Sequence, residues 1–184
     1  MDNVTAVMVS ENNIKPHEII VVAETEQDFL PKVTLMQVEG QKALLYSLEG
    51  LSPIAIYGEG ADGSTLPFLF SLLTGYIKCL IAARDMLLDT RLISSDPERG
   101  VFVKRDANTR VEVKAVWGTD TLSCEGEKIC RVAGALAKRE RVMGAKTSME
   151  RTIEIVRSEN LSLNDCLKTA EKLSREWNHI TNGA

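Results

Sequence analysis

Histidine is nearly absent and aromatics are few: two His, four Phe, three Tyr and two Trp among 184 residues. Four cysteines, Cys79, Cys124, Cys130 and Cys166, contain no Cys-x-x-Cys pair, and only His17 and His179 stand beside them as nitrogen ligands. That set does not build a structural zinc site, so no metal is expected and the thiols are read as buried and reduced. A glycine-rich phosphate loop is missing as well. Gly58-x-Gly60-x-x-Gly63 has the dinucleotide spacing, but the parallel βαβ repeats that make such a turn useful are not there, so it reads as a polar joint and no cofactor is expected. Residues 1–13 lack the basic start and apolar run of a secretory signal, which predicts cytoplasmic residence. The balance of 22 basic and 26 acidic residues, a net charge of −4, predicts no general affinity for nucleic acid.

What the chain does have is one dominant apolar segment. Leu69, Leu72, Leu73, Tyr76, Ile77, Leu80, Ile81, Arg84, Leu87 and Leu88 recur at three- and four-residue steps, the period of a helix with a wide inward stripe. Ser64 or Thr65 is placed to cap it, and Pro67 suits its first turn. Lys78, Arg84 and Asp85 interrupt it before the ~20 apolar residues a bilayer span requires. Asp96-Pro97-Glu98 then supplies turn chemistry, and Val101–Val103 and Val111–Val116 read as two short strands joined through residues 106–109.

Upstream, Val4, Val7 and Val9 allow an edge strand, residues 17–23 (HEIIVVA) read as a strand, and residues 33–38 and 43–48 form a hairpin around Gly40. Downstream, Ser123 is placed to cap a helix that turns Ile129, Val132, Ala133 and Leu136 inward. Thr147 with Glu150 has the form of a capping box for a second helix. Ser162 with Asp165 opens a third, striped by Leu163, Cys166, Leu167, Ala170, Leu173 and Trp177, and the last two helices are expected to pair. The expected class is α+β: a reduced β-rich lobe over 1–57, a hinge over 58–65, and a helical lobe with a short β-hairpin over 66–184, together one bilobal unit.

The order of long helix, Pro97-Glu98 loop, hairpin and Val116-Trp117-Gly118 resembles the catalytic core of the protein kinase fold. Leu30-Pro31, Leu44 to Leu48, Leu87-Leu88-Asp89, Asp96-Pro97-Glu98 and Val101-Phe102-Val103 further resemble a bacterial family of degenerate kinase-like domains often joined to forkhead-associated domains. The chain is also distantly similar to the cytosolic pseudokinase-like domain of the secretion protein EssB. The resemblance implies a degenerate kinase-like fold with Ser94 at the catalytic aspartate position, Arg99 at the metal-binding asparagine position, and Val116, Trp117 and Gly118 in place of Asp-Phe-Gly. Phosphoryl transfer needs carboxylates to hold magnesium and position the substrate hydroxyl, so the resemblance implies a non-enzymatic interaction or scaffold module of a bacterial signalling or secretion-associated system, with an unidentified protein as partner.

Eight basic residues between 128 and 157, among them Lys128, Lys138, Arg139, Arg141, Lys146 and Arg151, read first as a solvated helical surface and second as a face for an acidic partner, anionic lipid or nucleic acid. Aromatic residues that would stack on bases are missing from this cluster. An atypical phosphotransferase and a nucleic-acid or membrane-surface binder are the two alternatives. Trp117 is expected in the core, Asp89 and Asp96 as capping residues, and Arg99 in a salt bridge to Glu98 or Asp96.

Overall fold

A computed structural model describes residues 4–8, 14–38, 40–59, 65–105, 111–118, 120, 122, 124–138 and 144–181. Two three-stranded antiparallel sheets and a set of helices make it α+β. In the first sheet the order is β1 (Val4–Met8), β3 (Gln41–Ser47), β2 (Val33–Val38). The second sheet joins β4 (Leu51–Pro53) to β5 (Val101–Arg105) and β6 (Val111–Ala115). The chain passes from one sheet to the other through Glu49 and Gly50, where Gly50 takes a positive φ of 71° that a side chain would resist.

Residues 17–23 are helical, not a strand: α1 spans Pro16–Glu24. The β-branched run Ile19 to Val22 suits a strand, but Pro16 sits in the first turn and the Glu18 carboxylate accepts from the Lys15 N–H (3.1 Å), and these end signals win over propensity. Glu18, Ile19 and Val22 are buried while Ile20 is exposed, a helical spacing with no two-residue alternation.

The long helix forms where its stripe places it, as α3 over Leu66–Asp85, with the Thr65 hydroxyl accepting from the Phe68 N–H. Leu69, Leu72, Leu73, Tyr76, Ile77 and Leu80 are all buried. By length and composition α3 is apolar enough to cross a membrane, yet it packs against β6 and two further helices, α4 (Glu125–Leu136) and α6 (Leu163–Thr181). Gly75 lets it lie close on β6, since a Cβ there would press into the Val113 side chain. The stripe fails at Leu87. The helix ends before it, and the N–H groups of Leu87 and Leu88 close on the Arg84 and Ala83 carbonyls (both 2.9 Å). That ending puts Leu87 at φ 60° with 83% of its surface exposed, where a glycine normally stands.

α2 (Ala55–Gly58) ends at a buried glycine, and a Cβ on Gly58 would overlap the Ala135 carbonyl of α4. Of the hinge expected over 58–65, residues 60–64 lie outside the described residues, while Gly58 is packed in α2 and Thr65 caps α3. α5 (Ala145–Glu159) starts at Gly144, in the left-handed region, so Thr147 is an exposed residue inside the first turn and makes no capping box. Ser162 and Asp165 do cap α6, the Ser162 hydroxyl donating to the Asp165 carboxylate and accepting from its N–H. α5 and α6 touch, but α5 packs chiefly on α4 and α6 on α3.

Leu80 is fully buried on the central helix, and Leu80→Ala is expected to lower the unfolding free energy by about 2–5 kcal/mol. A denaturation midpoint equal to that of the parent chain would contradict this packing.

Candidate functional site

The segment from Asp89 to Gly100 meets residues 116–118 side by side and reaches Asp120. Ile93 and Trp117 form an antiparallel bridge, the Ser94 N–H donates to the Val116 carbonyl (2.7 Å), and the Gly118 N–H donates to the Leu92 carbonyl (2.7 Å). Four of the five residues singled out by the kinase resemblance, Ser94, Val116, Trp117 and Gly118, are thereby brought together. Arg99 stands apart. It is exposed, its N–H donates to the Asp96 carboxylate (3.0 Å), and its side chain makes no ion pair among the described residues, contrary to the expected salt bridge. Asp96 and Asp89 serve as the expected caps, Asp96 accepting from the Glu98 and Arg99 N–H groups and Asp89 from that of Arg91.

Ser94 is buried, with its hydroxyl oxygen accepting from the Asp96 N–H (3.2 Å) and its carbonyl accepting from the Tyr76 hydroxyl (3.1 Å). Gly100 lies so close that a Cβ there would overlap the Ser94 hydroxyl. Trp117 is fully buried; its indole N–H donates to the Asp89 carbonyl (3.3 Å) and its carbonyl accepts from the Tyr46 hydroxyl (2.9 Å). Burial pushes the pKa of both tyrosines up, so their hydroxyls remain donors.

At the centre of these contacts is a pair that reading the sequence missed. The Lys128 ammonium, inaccessible to solvent, donates to the Arg91 carbonyl (2.8 Å), the Ile93 carbonyl (2.5 Å) and the Asp120 carboxylate (2.9 Å). The same Asp120 oxygen accepts from the Ser95 N–H (2.7 Å) and hydroxyl (2.6 Å), and the other accepts from the Leu122 N–H (3.1 Å). Burial pushes the Asp120 pKa up, but the donors from Ser95 and Lys128 outweigh it and hold the carboxyl below its ordinary value. Burial also draws the Lys128 ammonium below the usual lysine value, against the pull of Asp120. The lowered value keeps Asp120 ionised near neutrality. Lys128 is thus withdrawn from the basic surface to which the sequence assigned it. The signal was its place four residues before Val132 and eight before Leu136, on the inward line of α4.

Of the remaining basic residues, Lys138 at the end of α4 and Lys146 and Arg151 on α5 are exposed, with Arg151 3.9 Å from Glu176. Arg139 and Arg141 lie outside the described residues. Cys79, Cys130 and Cys166 are buried as expected, but Cys124 is exposed. The Cys79 thiol donates to the Val113 carbonyl (3.2 Å), and burial pushes its pKa up to about 12, which leaves it unreactive.

Three cavities lie away from the Ser94 cluster. One of about 570 Å³ opens between the two sheets and is lined by Asp28, Lys32, Glu49, Lys104 and Lys114 among others. The Lys114 ammonium is committed to the Asp28 and Leu30 carbonyls, and the buried Gln27 amide nitrogen at the same cavity has no partner. A second, of about 750 Å³, lies between α4 and α5 beside Cys124, Cys130 and Arg157. No cluster of three or more His, Cys, Asp or Glu fit to hold a metal occurs among the described residues.

Neither a family model nor a curated protein matches this chain.

Lys128→Met is expected to cost about 3–5 kcal/mol, because it strands a buried carboxylate; chemical denaturation measures it. The pH dependence follows from the lowered Asp120 pKa. Below the folded-state pKa both states are protonated, so Asp120's contribution to stability is present above the unfolded carboxyl pKa of about 4 and is lost as pH falls through the lower folded value. The stability difference between the parent chain and Asp120→Asn should therefore shrink on acidification through that window, and a difference constant with pH would contradict it.

Proposed function

We propose that the chain is a non-catalytic, degenerate kinase-like interaction module of a bacterial signalling or secretion-associated system, working in the cytoplasm on a protein partner. One observation carries this reading: the groups at the degenerate positions are occupied in holding the fold. The Ser94 hydroxyl is enclosed by Gly100 and the Asp96 N–H, Val116 and Trp117 are buried, and the nearby carboxylate, Asp120, is taken up by Ser95 and Lys128. A metal-dependent phosphotransferase needs carboxylates facing an open cleft. Exposed Arg99 carries a fixed positive charge where the resemblance places a magnesium ligand.

The partner is expected to meet the basic face of Lys138, Lys146 and Arg151 with an acidic surface of its own. With Lys128 buried and a net charge of −4, a nucleic-acid partner is not expected.

A second reading, atypical nucleotide binding, rests on the cavity between the sheets, where Lys32 and Lys104 stand among the carboxylates of Glu24, Glu26, Asp28 and Glu49. Titration calorimetry with magnesium-ATP separates the two. The interaction module is expected to give no binding heat, whereas saturable micromolar binding lost on Lys104→Ala would favour the nucleotide reading. For the module itself, affinity capture from the native cell is expected to recover a protein that the triple variant Lys138→Glu, Lys146→Glu, Arg151→Glu no longer retains. Retention by that variant would remove the basic face from the proposal.

A further inference from the structure

β2 is an edge strand without the devices that usually protect one. Between Val33 and Val38 it has no charged residue and no proline, although natural edges are blunted by lysine, proline or a bulge. Leu35 is 40% exposed on one face of the strand, and Met36 and Val38 are 45% and 43% exposed on the other. The hydrogen-bonding groups that β3 does not use are also identifiable. The Ser47 N–H donates to the Lys32 carbonyl (2.8 Å), and Val33 stands opposite Tyr46. By alternation Thr34, Met36 and Val38 turn their N–H and C=O groups to β3, while Val33, Leu35 and Gln37 turn theirs outward.

We propose that the chain pairs with a second copy of itself through β2, antiparallel, about a two-fold axis at Leu35. Such an axis stands perpendicular to the sheet, so facing residues must lie on the same face. Centred on Leu35, it sets Leu35 opposite the partner's Leu35, Val33 opposite the partner's Gln37 and Thr34 opposite the partner's Met36. Every outward N–H and C=O of the strand then finds an acceptor or donor, and two three-stranded sheets become one of six strands.

Charge favours this occupant over an unrelated extended peptide. Lys32 precedes the uncharged strand and Glu39 follows it in sequence, so an antiparallel copy brings the basic end of each strand to the acidic end of the other. Lys32 takes the position opposite the partner's Val38, and among the described residues no like charges meet along the edge. The inference concerns a different face from the basic surface and stands whether or not the interaction-module reading holds.

Sedimentation velocity on the full chain is expected to show a mass rising from 20.3 kDa toward twice that value over a roughly hundredfold concentration range, as mass action requires. Gln37→Pro removes an outward N–H that β3 does not use, and is expected to hold the chain as a monomer with the thermal midpoint that the parent chain has at concentrations where it too is monomeric. Should that variant misfold, Leu35→Cys in a Cys124→Ser background tests the same register. Facing residues of a hydrogen-bonded pair lie about 5.5 Å apart, within disulfide reach, so air oxidation should give a covalent dimer, while Gln37→Cys, opposite the partner's Val33, should give little. A monomer at every concentration, a dimer that survives Gln37→Pro in a folded chain, or equal cross-linking at 35 and 37 would overturn the proposal.

Discussion

The buried Lys128–Asp120 pair sets the geometry on which the rest of the centre depends. An ammonium carries three N–H donors, and Lys128 spends one on each of Arg91, Ile93 and Asp120. Withdrawing it from water is expensive, and the cost is offset only when all three bonds and the facing charge are in place together. Three stretches of the sequence must therefore come into register at one point: α4, the loop following α3, and the backbone at Asp120. A small displacement of any of them leaves a charge in the interior without a partner, so the arrangement is specified more sharply than apolar packing alone would specify it.

Contacts radiate outward from that point. Tyr46 ties the first sheet to the centre through the Trp117 carbonyl, Tyr76 ties α3 to it through the Ser94 carbonyl, and Glu18 ties α1 to it by accepting from the Asp89 N–H (2.7 Å). In each case a side chain satisfies a backbone group of an irregular segment that no ladder satisfies. Such segments seldom pass through an interior because their polar groups would be orphaned there. Here side-chain donors and acceptors sent in from the regular elements on every side allow it.

How much of this the sequence discloses depends on the range of the signal. Both hairpins and α3 are written in local periods, with Thr65 and Pro67 marking where the helix begins, and they form close to where those marks stand. Residues 17–23 were misread because β-branched composition and helical end signals disagree over seven residues, too few for a period to decide. Leu87 continued the apolar spacing in sequence but lay past a helix end that no glycine announces. Lys128 and Asp120 were hidden for another reason. Each is an ordinary surface residue by type, and what makes them central is a meeting of segments that a one-dimensional pattern does not record. The one local hint, a lysine on the inward line of α4, has meaning only if a carboxylate and two free carbonyls wait opposite it.

The distribution of satisfied and unsatisfied groups separates the middle of this molecule from its perimeter. In the middle, the Lys128 ammonium uses all three of its donors, the Asp120 carboxylate holds Ser95 and Lys128 together, and glycine at position 100 closes the space beside Ser94. At the perimeter Leu87 holds a left-handed conformation, at a cost of roughly 1–2 kcal/mol relative to the ordinary helical region, while exposing 83% of its surface and so recovering little by packing. β2 likewise presents apolar side chains, and backbone groups that meet no partner among the described residues, where a lysine would be harmless to the fold and would protect it. Stability alone favours glycine at the first site and charge at the second. That both sites are apolar and outward-facing puts the weight of any binding role on the rim of the molecule, away from the closed cluster around Ser94.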